Sequence, residues 1–218
     1  MILGLVGPKG SGKSTVSNIL VKKHGFIELS LAGYLKDVCS YIFGIDREVF
    51  DNPKLKESTD YQTLLNRTDL LLLSHFYGVK YTPEDFKVNN YKLLETPRKI
   101  LQYVGTELLR NKSESVHIKK LIENTQFDPS KNYIVSDIRF ENEYYAFRTM
   151  FGDKLGFEGF FIERNTLAPS GDLHASETEL HNIKKYCKII NNNKGLKELE
   201  EVIDQDVLNV VNYNQGVI

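Results

Sequence analysis

The segment Gly7-Pro8-Lys9-Gly10-Ser11-Gly12-Lys13-Ser14 lies between a short apolar run, Ile2 to Val6, and a stretch where Val16, Ile19 and Leu20 recur at helical spacing until Gly25. It matches G-x-x-x-x-G-K-[ST] in a strand-to-helix setting, and no other feature constrains the fold as much. Glycines there let the backbone wrap phosphate oxygens with its N–H groups turned inward, and the following helix adds the positive end of its dipole. Lys13 is expected to reach the β- and γ-phosphates of a nucleotide, and the Ser14 hydroxyl to join a Mg²⁺ shell. Gly7, Lys9, Gly10, Ser11, Gly12 and Thr15 complete the expected cradle. A glycine-rich turn without function would not need the Lys-Ser pair at its end.

The rest of the chain alternates between strand-like and helix-like segments. Phe26 to Leu29 reads as a strand, and AGYLKDVCSYIFG as a helix striped by Leu35, Val38, Ile42 and Phe43 and stopped by Gly44. Residues 45–95 loosen into charged and aromatic stretches, with DNPKLKEST as a loop and TDLLLLSHFYG as a short buried element. In TPRKILQYVGTELLR, Thr96 suits an N-cap and Pro97 the first helical position, with Ile100, Leu101, Val104 and Leu108 on the buried face. Tyr133 to Ser136, Gly159 to Ile162 and Cys187 to Ile190 read as strands. FENEYYAFRTMFG and NNNKGLKELEEVIDQDVLNVV read as helices, and Ser176 as the cap of another through Glu179. Such alternation predicts a parallel α/β sheet covered by helices on both faces.

A chain of 218 residues, 41% hydrophobic, has material for a full core, and a length near 1.5 domains favours one domain with sizeable insertions. The net charge of -1 excludes a uniform basic field, so long nucleic acid is not an expected partner. Cys39 and Cys187 fit neither a metal-ligand spacing nor a disulfide framework, and reduced thiols in the cytoplasm are expected. Ile2 to Val6 is too short for a signal-peptide core and nothing suits a membrane span, so the chain is read as beginning directly with structure.

Several residues carry a functional and a structural reading side by side. Asp137 ends an apolar strand, where an acidic group can hold a water of the Mg²⁺ shell; the alternative is an N-cap for a helix beginning near Asn142. Arg98 and Gln102 share one helix face off the main apolar stripe. There they suit the phosphate and base edge of a nucleoside monophosphate, or form an ordinary solvated face. Lys36 could meet an acceptor phosphate or stand as a solvated charge. Tyr144, Tyr145 and the run Leu70 to Leu73 read as core or interface, which leaves a homodimer open. His174 reads as structural or lid-ordering, since an anionic acceptor needs no general base.

Four stretches, GPKGSGKS, TPRKILQYVGTE, VSDIRFENE and INNNKGLKEL, with DLHASE between the last two, resemble the bacteriophage deoxynucleoside monophosphate kinases along nearly the whole chain. That family is related in plan to adenylate kinase. The resemblance implies a three-layer P-loop kinase in which a central parallel sheet is flanked by helices, with an acceptor-binding insertion and a lid. It implies one domain with core 1–44, 96–163 and 181–218, insertion 45–95 and lid 164–175. By the same resemblance Arg98 and Gln102 grip the acceptor's phosphate and base; Lys36 and Glu143 are further expected substrate contacts. Arg139 and Arg164 lie near the transferred phosphate, Asp137 beside them as a metal residue with Ser14, and Asn192 to Gly195 contact the adenine of ATP. ATP and Mg²⁺ are the implied cofactors, a deoxynucleoside monophosphate the small-molecule partner, and the host cytoplasm the location. Members often place Asp after the loop lysine, where this chain has Ser14.

Two other functions remain open on the residues alone. A different small-molecule kinase, such as one phosphorylating dephospho-coenzyme A, would share the loop and the INNNKGLKEL ending, although Arg98 with Gln102 argues against it. A nucleotide switch or binding module would call for a base-specificity motif of the N-K-x-D kind, which is missing from the sequence.

Overall fold

A computed structural model describes residues 1–165 and 179–214, with side chains through residue 211, and divides into two compact units. The first comprises Met1–Ser30 and Thr125–Ile218, the second Leu31–Asn124.

The first unit is built on strands β1 (Ile2–Val6), β2 (Ile27–Leu29), β5 (Tyr133–Val135), β6 (Phe157–Glu163) and β7 (Lys188–Asn191), numbered along the chain. They pair in parallel in the order β2-β5-β1-β6-β7. Every residue of β1 is buried, as expected of a central strand covered on both faces. Leu3 and Leu5 face a cluster with Val16, Ile19 and Leu20 of α1 (Lys13–His24). That cluster also takes in Leu199 of α10 (Leu196–Val202), which follows the short α9 (Leu180–Lys184), and Ile203 and Val207 of the wider helical turn after it, which leads into α11 (Leu208–Asn214). Gly4, between them in sequence, faces the other way, where a Cβ would stand 2.6 Å from the Ile138 side chain. On that face Phe147 of α8 (Glu141–Phe151) stacks on Phe157 with centroids 5.9 Å apart, and Tyr144 meets the same ring edge-on at 5.3 Å. The arrangement is a three-layer α/β sandwich around a parallel sheet.

Strand order decides where a ligand can sit. From β1 the chain goes to one side of the sheet for β2 and β5, then crosses to the other for β6 and β7. Connections diverge at β1, which leaves a crevice beyond its carboxyl end. Residues 7–12 leave β1 at that point and lead into α1.

The second unit holds α2 (Gly33–Phe43), α3 (Arg47–Asp51), α4 (Arg67–Tyr77), α5 (Pro83–Val88), α6 (Pro97–Gln102) and α7 (Val116–Glu123). An antiparallel pair, β3 (Thr63–Leu65) with β4 (Lys92–Leu94), joins them. Its core gathers Phe50, Leu65, Leu70, Leu73, Ile100, Val104 and Leu109. Thr96 caps α6 by accepting from Lys99 N–H, with Pro97 in the first turn. The helix then widens over Tyr103–Arg110, where Asn111 N–H reaches back to the Thr106 carbonyl. Gly105 lies in that turn, its carbonyl 3.1 Å from the His117 Nε2 and a Cβ there only 2.8 Å from Leu35.

Residues 45–95 are therefore more ordered than their composition suggests. The run at Leu70 to Leu73 is a full amphipathic helix in which Leu70 and Leu73 are buried while Leu71 is exposed. Helices α2 and α6, expected with the core, pack with the second unit. Tyr144 is core, whereas Tyr145 is 36% exposed. Cys39 and Cys187 are unbridged. The DLHASE stretch, His174, Ser176 and the expected lid beyond Asn165 lie outside the described residues. No helix among the described residues is long and apolar enough to cross a membrane.

Candidate functional site

The loop between β1 and α1 has the backbone its glycines allow. Gly7, Gly10 and Gly12 sit at φ of 147°, 82° and 107°. At Gly7 a Cβ would stand 2.6 Å from the Ile162 carbonyl of β6, so both conformation and space demand glycine. No side chain caps α1, whose first turn lacks intrahelical partners for its N–H groups. Ser11 is fully buried and its Oγ has no hydrogen-bond partner among the described residues. The half-buried Lys13 ammonium folds over the loop, donating to the carbonyls of Gly7 at 2.5 Å and Pro8 at 2.9 Å. Lys9, Gly10 and Ser14 are exposed and Thr15 is half-buried. An uncapped helix start, an unsatisfied buried hydroxyl and a primary ammonium at the loop's mouth are the groups an anion with several oxygens requires, so these residues fit nucleotide phosphates.

Asp137 follows β5, whose Val135 is in register with Gly4 of β1, which places it beside the start of the loop. Its Oδ2 accepts from Ser30 Oγ at 2.7 Å. The helix-cap reading of Asp137 does not hold, because α8 begins after Phe140 and is capped by Glu143. The Glu143 carboxylate, 3% exposed, accepts from the N–H groups of Arg139 at 3.0 Å and Phe140 at 3.1 Å. Glu143, expected at the substrate, thus braces the turn that carries Asp137 and Arg139. Arg139 is half-buried there. Ser14 and Asp137 are the residues near the loop that could hold a divalent cation. No group of three or more His, Cys, Asp or Glu residues suited to a metal occurs among the described residues.

Arg164 is exposed just beyond β6, and the backbone on either side of it is tied to the exit of β7. The Glu163 carbonyl accepts from Asn192 N–H at 2.8 Å, and Asn165 N–H donates to Asn193 Oδ1 at 2.6 Å. Asn192 turns its side-chain amide to the loop, where Nδ2 donates to the Ser11 carbonyl at 2.8 Å. Gly195 is exposed at the start of α10.

The second unit carries the other predicted residues, each cation with an acidic partner. Arg98 Nε donates to Glu57 Oε1 at 2.6 Å, and Lys36 Nζ to Asp51 Oδ1 at 2.9 Å. Burial alone would raise the Asp51 pKa. The Lys36 hydrogen bond and the charges of Lys36, Arg47 and Lys56 outweigh it and hold the carboxyl below its usual value. Gln102 is half-buried one turn after Arg98. Elements α2, α3, α6 and the turn Leu55–Glu57 pack on one another, which gathers these charges in one region of the unit. Ser30, Asp51 and Glu57 were not legible as site residues. Each meets its partner across 15 to 107 positions, and no local pattern marks such a pairing.

Similarity to known proteins follows the same lines. No family model matches the chain. A provisionally named deoxynucleotide monophosphate kinase of Acanthamoeba polyphaga mimivirus is 32% identical over 227 residues, covering 98% of this chain and 100% of that protein. The deoxynucleotide monophosphate kinase of Enterobacteria phage T4 is 26% identical, covering 91% of this chain and 95% of that one. Among solved structures, a dephospho-CoA kinase from Campylobacter jejuni gives a TM-score of 0.41 at 15% identity, over 96% of each chain. A Thermus thermophilus protein gives 0.41 at 14%, over 96% of this chain and 97% of that one.

Proposed function

Because the chain belongs to the deoxynucleotide monophosphate kinase family, we propose that it transfers the γ-phosphoryl group of ATP to a deoxynucleoside 5′-monophosphate, giving the diphosphate and ADP. The observation that carries this reading is the loop of residues 7–14, with its buried unsatisfied Ser11 hydroxyl and its Lys13 ammonium resting on backbone carbonyls. Those carbonyl contacts are neutral acceptors, and the triphosphate of ATP offers charged ones in their place.

In this reading the moving phosphoryl group spreads negative charge over its oxygens, and the chain's task is to hold and stabilise that charge. Lys13 leaves Gly7 and Pro8 for the β- and γ-phosphates, while the N–H groups of the loop and the first turn of α1 grip the remaining oxygens. Mg²⁺, held through Ser14 Oγ and Asp137, would supply further neutralisation. Arg139 and Arg164 add charge on the transferred group, and Glu143 supports Arg139 through the turn it braces. Residues Asn192 to Gly195 border the adenine. In the second unit Arg98 exchanges Glu57 for the acceptor phosphate, Lys36 exchanges Asp51, and the Gln102 amide reads the base. The acceptor is already an anion, so no general base is required.

Measuring ADP formation with each deoxynucleoside monophosphate, and with dephospho-coenzyme A, tests the proposal. Turnover should depend on a deoxynucleoside monophosphate. Hydrolysis at the same rate without acceptor would favour a nucleotide switch, and turnover with dephospho-coenzyme A alone would favour the rival kinase. In the same assay Asp137→Asn should raise the Mg²⁺ requirement about tenfold, the scale of a weakened metal-orienting contact. Its melting temperature should move little, because Asp137 caps no helix.

A further inference from the structure

We propose that Asn192 is a positioning residue that sets the phosphate-gripping shape of the loop, an assignment that rests on the donor-site reading above. Its Nδ2 donates to the Ser11 carbonyl at 2.8 Å, across 181 positions of sequence. The peptide joining Ser11 to Gly12 is planar and trans, so its C=O and N–H point in opposite directions. Turning the Ser11 oxygen toward Asn192 therefore turns the Gly12 N–H away from it. It also withdraws a carbonyl oxygen that would otherwise repel phosphate. A carbonyl accepts only from a donor, which identifies the amide nitrogen as the contacting atom.

Two further observations show a built support. Asn192 is itself held by the sheet, its N–H bonded to the Glu163 carbonyl at 2.8 Å where β6 and β7 end, and the neighbouring Asn193 Oδ1 accepts from Asn165 N–H at 2.6 Å. The amide nitrogen also lies close beside Gly12, where an added Cβ would collide with Nδ2. Gly12 is required by its φ of 107°, and a side chain there would also push the Asn192 amide out of place. Asn192 and Asn193 thus join three segments at one end of the sheet: the loop, the exit of β6 that carries Arg164, and the exit of β7. One N–H of the amide is committed to the loop; its second N–H and Oδ1 stay open to other partners.

The test compares ATP, GTP and inorganic tripolyphosphate, each with Mg²⁺, on Asn192→Ala and the nearly isosteric Asn192→Asp. Loss of one net hydrogen bond predicts roughly threefold to tenfold weaker binding of all three ligands in Asn192→Ala, with the ATP-to-GTP ratio unchanged. Asn192→Asp should be worse, since a carboxylate oxygen then faces the Ser11 carbonyl; it also keeps the volume should the alanine variant fold poorly. If ATP binding weakens while tripolyphosphate binding holds, Asn192 reads the base and the proposal is overturned. A lowered melting temperature with unchanged affinities for all three ligands would likewise overturn it. The parent protein serves as the control: if it binds neither ATP nor tripolyphosphate with Mg²⁺, the donor-site reading itself is refuted, an outcome distinct from those that overturn the role of Asn192.

Discussion

Lys13→Ala should fold normally and turn over about 10³-fold more slowly than the parent enzyme, with the loss concentrated in kcat. The ammonium is half-buried and bonded to two loop carbonyls, Gly7 and Pro8, so its removal costs two hydrogen bonds from a charged donor to neutral acceptors in the resting protein. Bonds of this kind contribute about 1.5 kcal/mol each, which a folded domain can lose and still fold. The charge contact to the transferring phosphate is of a different order. Negative charge grows on the phosphoryl oxygens only as the reaction proceeds, so an ammonium there lowers the barrier more than it tightens ground-state binding. Steady-state kinetics together with a thermal melt check both halves. A folded Lys13→Ala enzyme within tenfold of normal kcat would remove Lys13 from the reaction.

Arg98→Ala should weaken the acceptor and leave ATP nearly untouched. A forked, charge-assisted pair to phosphate is worth about 1.5–3 kcal/mol, or roughly 10- to 150-fold in kcat/KM for the acceptor. The resting partner, Glu57, is 48% exposed in its side chain and remains hydrated when the arginine is removed. An exposed pair of that kind contributes at most about 1 kcal/mol to stability, so the variant should melt close to the parent. Arg98 belongs to a different compact unit from the phosphate loop, which is why the two ligands should respond separately. Gln102→Ala should act in the same direction, with unequal penalties across bases if its amide reads the base edge. Equal loss of ATP and acceptor affinity in Arg98→Ala would return Arg98 to the ordinary helix-surface charges.

The parts of this protein that sequence determined by itself are those governed by contacts a few residues long. Gly7 to Ser14 specify the loop because φ, steric clearance and the helix start are local properties. Thr96 and Pro97 specify the start of α6 for the same reason, as do Gly25 and Gly44 the ends of α1 and α2. The alternation of apolar runs with helical stripes determined a parallel sheet with helices on both faces. Residues 45–95 defeated that approach, because short helices and a three-residue strand pair draw their order from the core around Phe50 and Leu65 rather than from their own periodicity.

Tertiary structure alone decided how the candidate site residues are partnered. Asp137 carried a cap reading beside its metal reading, and only the fold showed that α8 begins after Phe140 and that Ser30 bonds Asp137. Asn192, expected at adenine, also donates one N–H to the Ser11 carbonyl, a contact no local pattern announces. Arg98 and Lys36 acquired Glu57 and Asp51 as resting partners. Apart from the local Glu143 cap, these pairings bring together groups 15 to 181 positions apart, and a hydrogen bond is directional over about 3 Å. Residue type announces that a side chain can donate or accept; only the packed sheet and helices determine which partner comes within that distance.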